Sequence, residues 1–438
     1  MNRRSFLKLP GLLPFVDLRS RFRFEDHHFG YESVIGTSLD LIVRSPSSSV
    51  AEGVCQTIRD EIDRLARILD TRDPASEISL FEGCDRVRGA SRELTDVLDA
   101  YEHWERRTSG VLSIRCGGAD APRNVDALGK AYIIDRAAAA AREAWPSIEA
   151  LLLDIGGDIV VWGRSCEIAI ADPAAWYDNA QPISRIHLRN AAVATSGTYA
   201  RGAHLRDARS GQPISTPVAA TVVAADAVTA NALATTLCLA SAEDGLRLVE
   251  STPDAEALRV ASGVLQRTSG FALLERQAAA QPPTAAPAPA ASSWPEGYKV
   301  KVTVPLTSGR SSKRPYVAVW VEDESNNLVR VLAIWGTKAK YFSSLTTLWN
   351  RLGGNFQSLQ PVTRATRSAG KYDLVWDGLD KAGKPVPMGT YRITVESNQE
   401  HGTYAKQTGA IEIGDSPATI TLPATTNFDA VVVQFGPA

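Results

Sequence analysis

Leu151-Leu152-Leu153-Asp154-Ile155 and Ile159-Val160-Val161-Trp162 flank Gly156-Gly157-Asp158, and together they read as two apolar strands around a glycine pair. Glycines there let a ligand approach backbone that carries no Cβ. A tight hairpin explains the same residues. Upstream, Gly36 to Val43 alternates like a strand. Val50 to Asp70 places Val54, Ile58, Ile62, Leu65 and Leu69 on one helical face, with charges opposite. Tyr132 to Trp145 is an Ala-rich helix, Ala219 to Ala225 a strand, and Val228 to Ala240 a helix of small residues. This irregular order predicts an α+β domain rather than a doubly wound sheet.

The chain of 438 residues is too long for one ordinary core. Its 44% apolar and 22% charged residues exclude a wholly disordered or fibrous chain. A net charge of −2 argues against a general nucleic-acid binder, so no nucleic-acid partner is expected. No apolar run approaches the roughly 20 residues of a membrane helix, so no transmembrane helix is expected. Cys55, Cys84, Cys116, Cys166 and Cys238 are widely spaced without a C-x-x-C pair, which points to plain thiols, with one disulfide as the other reading.

Residues 1–29 open with Asn2-Arg3-Arg4-Ser5-Phe6-Leu7-Lys8 and a short apolar stretch, the pattern of a twin-arginine export signal; a frayed basic tail is the plain reading. Export to the periplasm is the expectation, with cleavage left open. Residues 30–276 form the α+β domain. Residues 277–293 are an Ala/Pro spacer that cannot bury a core. Residues 294–438 change character: Lys299–Pro305, Tyr316–Glu322, Tyr372–Trp376, Thr390–Glu396 and Ala418–Leu422 are short alternating strands, the pattern of an immunoglobulin-like β-sandwich. One inserted helix is expected over Tyr341–Leu352.

Six segments of the first domain carry groups suited to chemistry. Ser76-Glu77-Ile78-Ser79 is a capping pattern when taken alone. Lys130, early in a helix, could set a cation near a phosphate or simply face solvent. Thr195-Ser196-Gly197-Thr198-Tyr199 is an anion-cradling loop or an ordinary turn. His204 and Asp207, with Arg206 and Arg209, sit in one turn-rich loop, where a histidine could act as general base. Asn231 and Thr235 stand one helical turn apart, two oxygens on one face, which suits Mg²⁺ beside a phosphate; plain packing is the other reading.

Taken in order, Ser76-Glu77-Ile78-Ser79, Lys130 to Asp135, Gly156-Gly157-Asp158, Thr195-Ser196-Gly197 with Tyr199, His204 with Asp207, and Asn231 with Thr235 resemble the FAD:protein FMN transferases of the ApbE type. The resemblance runs from about Gly36 to Phe271. The tail, through Ala318 to Asp323 and Trp376 to Tyr391, resembles a β-sandwich of the flagellar-hook-cap type. The first resemblance implies an α+β transferase domain that uses FAD as substrate and Mg²⁺ as metal. It implies transfer of FMN to a Thr or Ser of a target protein, with release of AMP. His204 and Asp207 would lie beside the phosphates as catalytic residues. Ser76, Glu77, Lys130, Gly156, Gly157, Asp158, Thr195, Ser196, Gly197 and Tyr199 would hold FAD, and Asn231 and Thr235 the metal.

The chain departs from that pattern at several points. Asn231 replaces the family's metal-binding Asp, Ala131 a Gly, Glu82 an Asn and Ala208 a Pro, while Ile35-Gly36-Thr37 stands for Met-Gly-Thr. The alternative expectation is therefore a catalytically impaired FAD-binding protein that uses its sandwich to bind a partner. Val362 to Thr366 resembles the acceptor pattern of flavinylated proteins, which makes Thr366 a candidate self-acceptor; a polar strand or turn is the plain reading.

Overall fold

The computed structural model describes residues 24–81, 89–117, 121–175, 177, 179–198, 205–214, 216–275, 294–307, 315–336, 339–354, 363–364, 369–399 and 403–437. Most of the expected export segment, the whole spacer 277–293, Cys84, Tyr199, His204 and Thr366 lie outside them. The chain enters as β1 (Glu25–Val34) and returns as β2 (Thr37–Ser45). Residues 25–29 pair with the end of β2, Glu25 opposite Ser45 and Phe29 opposite Leu41. The sheet therefore begins ahead of residue 30, in an edge strand whose acids and histidines carry no apolar pattern.

Helix α1 (Ser48–Leu69) is capped by Ser47, whose hydroxyl accepts from the Val50 amide. It buries Val54, Ile58, Ile62, Leu65 and Leu69, so burial of its apolar face is worth about 1.5–3 kcal/mol per large side chain. Then come α2 (Glu77–Leu80), α3 (Arg92–Arg107), α4 (Asp126–Ala144), β3 (Ala150–Ile155) and β4 (Asp158–Trp162). A ribbon of β5 (Cys166–Ile170) and β6 (Ser184–Leu188) precedes β7 (Ala191–Gly197), β8 (Val218–Ala224), α5 (Ala227–Leu239) and α6 (Ala242–Glu250). The domain closes with β9 (Glu256–Ala261), β10 (Val264–Arg267) and α7 (Phe271–Leu274).

Eight of these strands form one antiparallel sheet in the order β1-β2-β3-β4-β7-β8-β9-β10. Helices α1, α4 and α5 cover one face with the larger core. The β5–β6 ribbon and Phe271 cover part of the other through Ile170, Ile186, Leu188, Val193 and Val223. Strand β8 is buried at every position because it lies between these two layers, which is why its sequence is apolar apart from Thr221.

The second domain is a sandwich. Its strands are β11 (Tyr298–Leu306), β12 (Tyr316–Glu322), β13 (Leu328–Trp335), β14 (Thr363–Arg364), β15 (Gly370–Trp376), β16 (Gly389–Asn398), β17 (Tyr404–Ile413), β18 (Ala418–Leu422) and β19 (Val431–Pro437). They form sheets β15-β11-β19-β18 and β14-β13-β12-β16-β17. Val300, Val302, Trp335, Trp376, Val395 and Phe435 fill the space between them. The helix expected over Tyr341–Leu352 is divided into a 3-10 turn, Ala339–Ser344, and α8 (Thr346–Arg351). Between them Leu345 takes a non-helical ψ of 69° and enters a cluster with Trp320 and Ile334 on the outer face of the second sheet. The two domains meet where the Asn179 carboxamide pairs with Val375, donating to its carbonyl and accepting from its amide, both at 2.8 Å.

Candidate functional site

Two tight turns stand side by side at one end of the large sheet. The β1–β2 turn is Ile35-Gly36, with φ of 44° and 79°, and the β3–β4 turn is Gly156-Gly157, with φ of 62° and 91°. Left-handed backbone at both turn positions matches the right-handed twist of the flanking strands. Ile35 is a β-branched residue in a region such residues seldom occupy, and it lines the cavity described below. A Cβ on Gly156 would meet the Thr37 side chain, and one on Gly36 the Arg72 guanidinium. Both glycines are therefore set by close packing as well as by φ.

These turns floor a cavity of about 710 Å³. Its wall includes Gly156, Gly157 and Asp158, Thr195, Ser196 and Gly197, Lys130, and Asn231 with Thr235. Four segments far apart in the sequence thus converge on one space. Such a volume lies in the range of ordinary ligand sites, about 300–1,000 Å³.

Asp158 is the electrostatic centre. It is only 2% exposed, and its Oδ2 takes Lys130 Nζ at 2.7 Å and Asn231 Nδ2 at 3.0 Å. A carboxylate so deep is held by such donors or costs several kcal/mol. The amide of Asn231 is thereby oriented: Nδ2 faces Asp158, while Oδ1 is buried without a hydrogen-bond partner. One turn along α5, Thr235 Oγ1 lies 3.2 Å from Ser196 Oγ. Thr195 Oγ1 pairs with Thr221 Oγ1 at 2.9 Å. The Cys238 thiol donates to the Ser196 carbonyl, and burial pushes its pKa up to about 12, so it is an inert structural group.

Two further carboxylates hold the frame. Asp135, on α4, accepts from the Ala227 and Val228 amides at the start of α5, at 3.0 and 3.2 Å. Asp226 caps the same helix through the Thr229 amide. Burial pushes the Asp135 carboxyl up to about 7, although the amides oppose the shift. Asp154 accepts from the Gly157 amide at 2.8 Å, and burial raises it to about 6. The contact from α4 to α5 fixes Lys130 and Asn231 relative to each other, so that both reach Asp158.

Other expected residues lie elsewhere. Ser76 caps α2, accepting from Ser79 N, and Glu77 accepts from Ser91 N at 2.6 Å; neither borders the cavity. Ser79 borders a smaller cavity of about 330 Å³ with Arg72 and Arg123. Asp207 is also not among the cavity-lining residues. Its carboxylate is held by Arg209 at 2.6 Å, which keeps its pKa below the usual carboxylate range. Its neighbours Leu205 and Arg206 line the wall instead. Residues missed from sequence include Arg72, which borders both cavities, and Tyr101, Ser113 and Cys116 on the wall. The one available signal for Arg72 was an arginine directly after a helix and before Asp73-Pro74. Cys55, Cys116, Cys166 and Cys238 are free thiols. Among the described residues no helix is long and apolar enough to cross a membrane.

Residues 119–259 match the ApbE family, and residues 297–430 match the DUF2271 family, described as "Predicted periplasmic protein". Comparison with curated proteins gives no match. Among solved structures, the flavin transferase ApbE from Vibrio cholerae is similar at 18% identity and a TM-score of 0.49, covering 57% of this chain and 100% of that one. The ApbE protein of Thermotoga maritima is similar at 21% identity and a TM-score of 0.48, over 58% of this chain and 100% of that one. The Pseudomonas stutzeri flavinyl transferase ApbE, apo form, is 17% identical with a TM-score of 0.48, over 58% and 99%. The ApbE-family match at residues 119–259 thus falls within the α+β domain of this chain, and the DUF2271 match at residues 297–430 within its all-β domain.

Proposed function

We propose that the first domain transfers FMN from FAD to a Thr or Ser hydroxyl of a target protein and releases AMP, with Mg²⁺ as metal. The observation that carries this reading is the convergence of Lys130, the Gly156-Gly157 turn, the Thr195-Ser196-Gly197 strand end and the Asn231–Thr235 helix face on one cavity. A dinucleotide needs glycines where its diphosphate approaches backbone, hydroxyls and a cation near its oxygens, and apolar walls for its rings. Ile35, Leu69, Leu112 and Ile133 supply those walls.

In the reaction the target hydroxyl oxygen forms a bond to the FMN phosphorus. The bond from that phosphorus to the bridging oxygen breaks, AMP leaves with the bridging oxygen, and the hydroxyl proton passes to a base. Mg²⁺, when bound, would be held by Asn231 Oδ1 and Thr235 Oγ1 and would offset charge on the diphosphate. The unpartnered Oδ1 fits that role. The glycine turn and the β7 hydroxyls would bind and orient FAD, and Lys130, tied to Asp158, would set the local charge. His204 is the proposed base, and Asp207 a support of its loop.

A second reading rests on Asn231. A neutral ligand where a carboxylate is usual weakens a Mg²⁺ site, which favours a protein that holds FAD without transferring it and uses its sandwich to bind a partner. We further propose a periplasmic location reached by twin-arginine export, in keeping with the description of the DUF2271 match. Thr366 is a proposed self-acceptor, since a spacer of the length of 277–293 would raise its effective concentration toward the millimolar range. Incubation of the full chain with FAD, Mg²⁺ and a candidate acceptor, followed by denaturing electrophoresis under ultraviolet light, tests transfer. A fluorescent band on the acceptor or on the chain supports it. Flavin that stays with the native chain but is lost on denaturation supports the binding protein.

A further inference from the structure

The ion pair that holds Asn231 carries no net charge where a divalent cation would sit. Lys130 at 2.7 Å offsets the charge of Asp158, and Asn231 adds none. The Asn231 amide is also used up on one side, since Nδ2 is committed to Asp158. What remains for a cation is the single buried Oδ1 of Asn231, 7% exposed as a residue, and the hydroxyls of Thr235 and Ser196. Among the described residues there is no group of three or more His, Cys, Asp or Glu able to hold a metal ion. Mg²⁺ gives up its water reluctantly, and neutral oxygens alone repay little of that cost. The missing charge has to come from the ligand.

We infer, building on the reading of the cavity as a FAD site, that it takes the divalent cation only as a complex with the nucleotide diphosphate. Asp158 then has a definite part as a positioning residue. By taking Nδ2 it leaves the carboxamide oxygen as the acceptor without a partner on a cavity-lining residue, and Lys130 prevents Asp158 from becoming a metal ligand in its own right. A carboxylate at position 231 would reverse this order. It would face Asp158 at hydrogen-bond distance, and a cation entering first would relieve the repulsion. Metal and nucleotide binding are reciprocal, so a cation that needs the diphosphate must strengthen diphosphate binding by the same factor.

The test uses the full chain and three titrations. Mn²⁺ alone is followed by loss of the free-ion electron paramagnetic resonance signal. FAD is then titrated by fluorescence in EDTA, and again in saturating Mg²⁺. The expected results are no protein-dependent loss of free Mn²⁺ up to about 1 mM, and FAD affinity at least tenfold higher with Mg²⁺ than in EDTA. Asn231→Asp is expected to bind Mn²⁺ without FAD. Asn231→Leu, which removes Oδ1 with little change of volume, is expected to reduce the Mg²⁺-dependent gain in FAD affinity to less than threefold. Depletion of Mn²⁺ by the native chain without FAD, or equal FAD affinity with and without Mg²⁺, would overturn the inference while leaving the FAD site standing. Absence of FAD binding in both arms would overturn the inference and the FAD reading together. The native-chain arms decide the matter even if a variant fails to fold.

Discussion

Asn231 donates through Nδ2 to Asp158 Oδ2 at 3.0 Å, and Lys130 Nζ reaches the same oxygen at 2.7 Å. Three elements, α4, β4 and α5, are thus joined at one buried carboxylate oxygen. Asp158 is tied to the sheet, and the Asn231 and Lys130 donors come from helices that Asp135 links to each other.

Lys130→Met removes the cation that lies beside the buried carboxylate of Asp158. Loss of one partner of a buried ion pair costs about 3–5 kcal/mol, and the 20% exposure of the Lys130 side chain places the expected cost near the lower end. Urea unfolding of the full chain measures it. A loss below about 1 kcal/mol would mean that the carboxylate is satisfied without Lys130.

Asp135 makes stability depend on pH. Its folded pKa, about 7, lies above the ordinary carboxylate value of 3.8, so the native state binds the proton more tightly. The contribution is complete below pH ~4 and is lost as pH rises toward 7. The stability difference between the native chain and Asp135→Asn should therefore shrink with rising pH over that window, by an amount on the order of a few kcal/mol. Denaturant melts at pH 5 and pH 7.5 give the comparison; a constant or growing difference would contradict the assignment.

Gly156→Ala and Gly157→Ala separate conformation from packing. Both positions have positive φ, so each variant loses about 1 kcal/mol for left-handed backbone. Only the new methyl at 156 meets Thr37, whereas that at 157 has open space. The first variant is expected to be less stable by a further 1–3 kcal/mol, in line with overpacking, and to bind FAD more weakly. Equal melting temperatures would show that Thr37 yields freely.

In the sandwich, Glu396 is fully buried and accepts from Thr347 N at 2.8 Å, Leu348 N at 3.0 Å and Tyr404 Oη at 2.8 Å. Glu396→Gln turns one acceptor into an NH₂ that faces a donor, at an expected cost of about 1–3 kcal/mol. Calorimetry should show the sandwich transition shifted down and that of the first domain in place. A shift of the first domain would reveal coupling through the Asn179–Val375 contact.

Many of the elements that hydrophobic patterns announce were legible in the sequence, although α3, β13 and β19 went unread despite such patterns. Helix α1, the β3–β4 hairpin, β8, α5 and five strands of the sandwich all read directly from spacing. Strand β1 was not, because Glu25-Asp26-His27-His28 carries polar groups that an edge strand tolerates and a pattern search reads as tail. Strand β17 escaped for the same reason, with exposed and half-buried residues over most of its length. Within the site, sequence order pointed to Lys130, Gly156, Gly157, Asp158, Thr195, Ser196, Gly197, Asn231 and Thr235, and all nine border the cavity. Ser76, Glu77 and Asp207 do not, because local partners use them: a helix cap, the Ser91 amide and the Arg209 guanidinium. Composition and spacing carry no record of such short-range satisfaction. Nor do they show that Asn231 is held from one side only.

The most direct test of the central claim is release of AMP from FAD by the full chain with Mg²⁺ and a hydroxyl-bearing acceptor, followed by chromatography. The account predicts AMP equal in amount to the FMN bound covalently to protein, and its loss in His204→Ala by about 10²-fold or more. Flavin bound in the cavity with no AMP formed, at Mg²⁺ levels that saturate FAD binding, would contradict it.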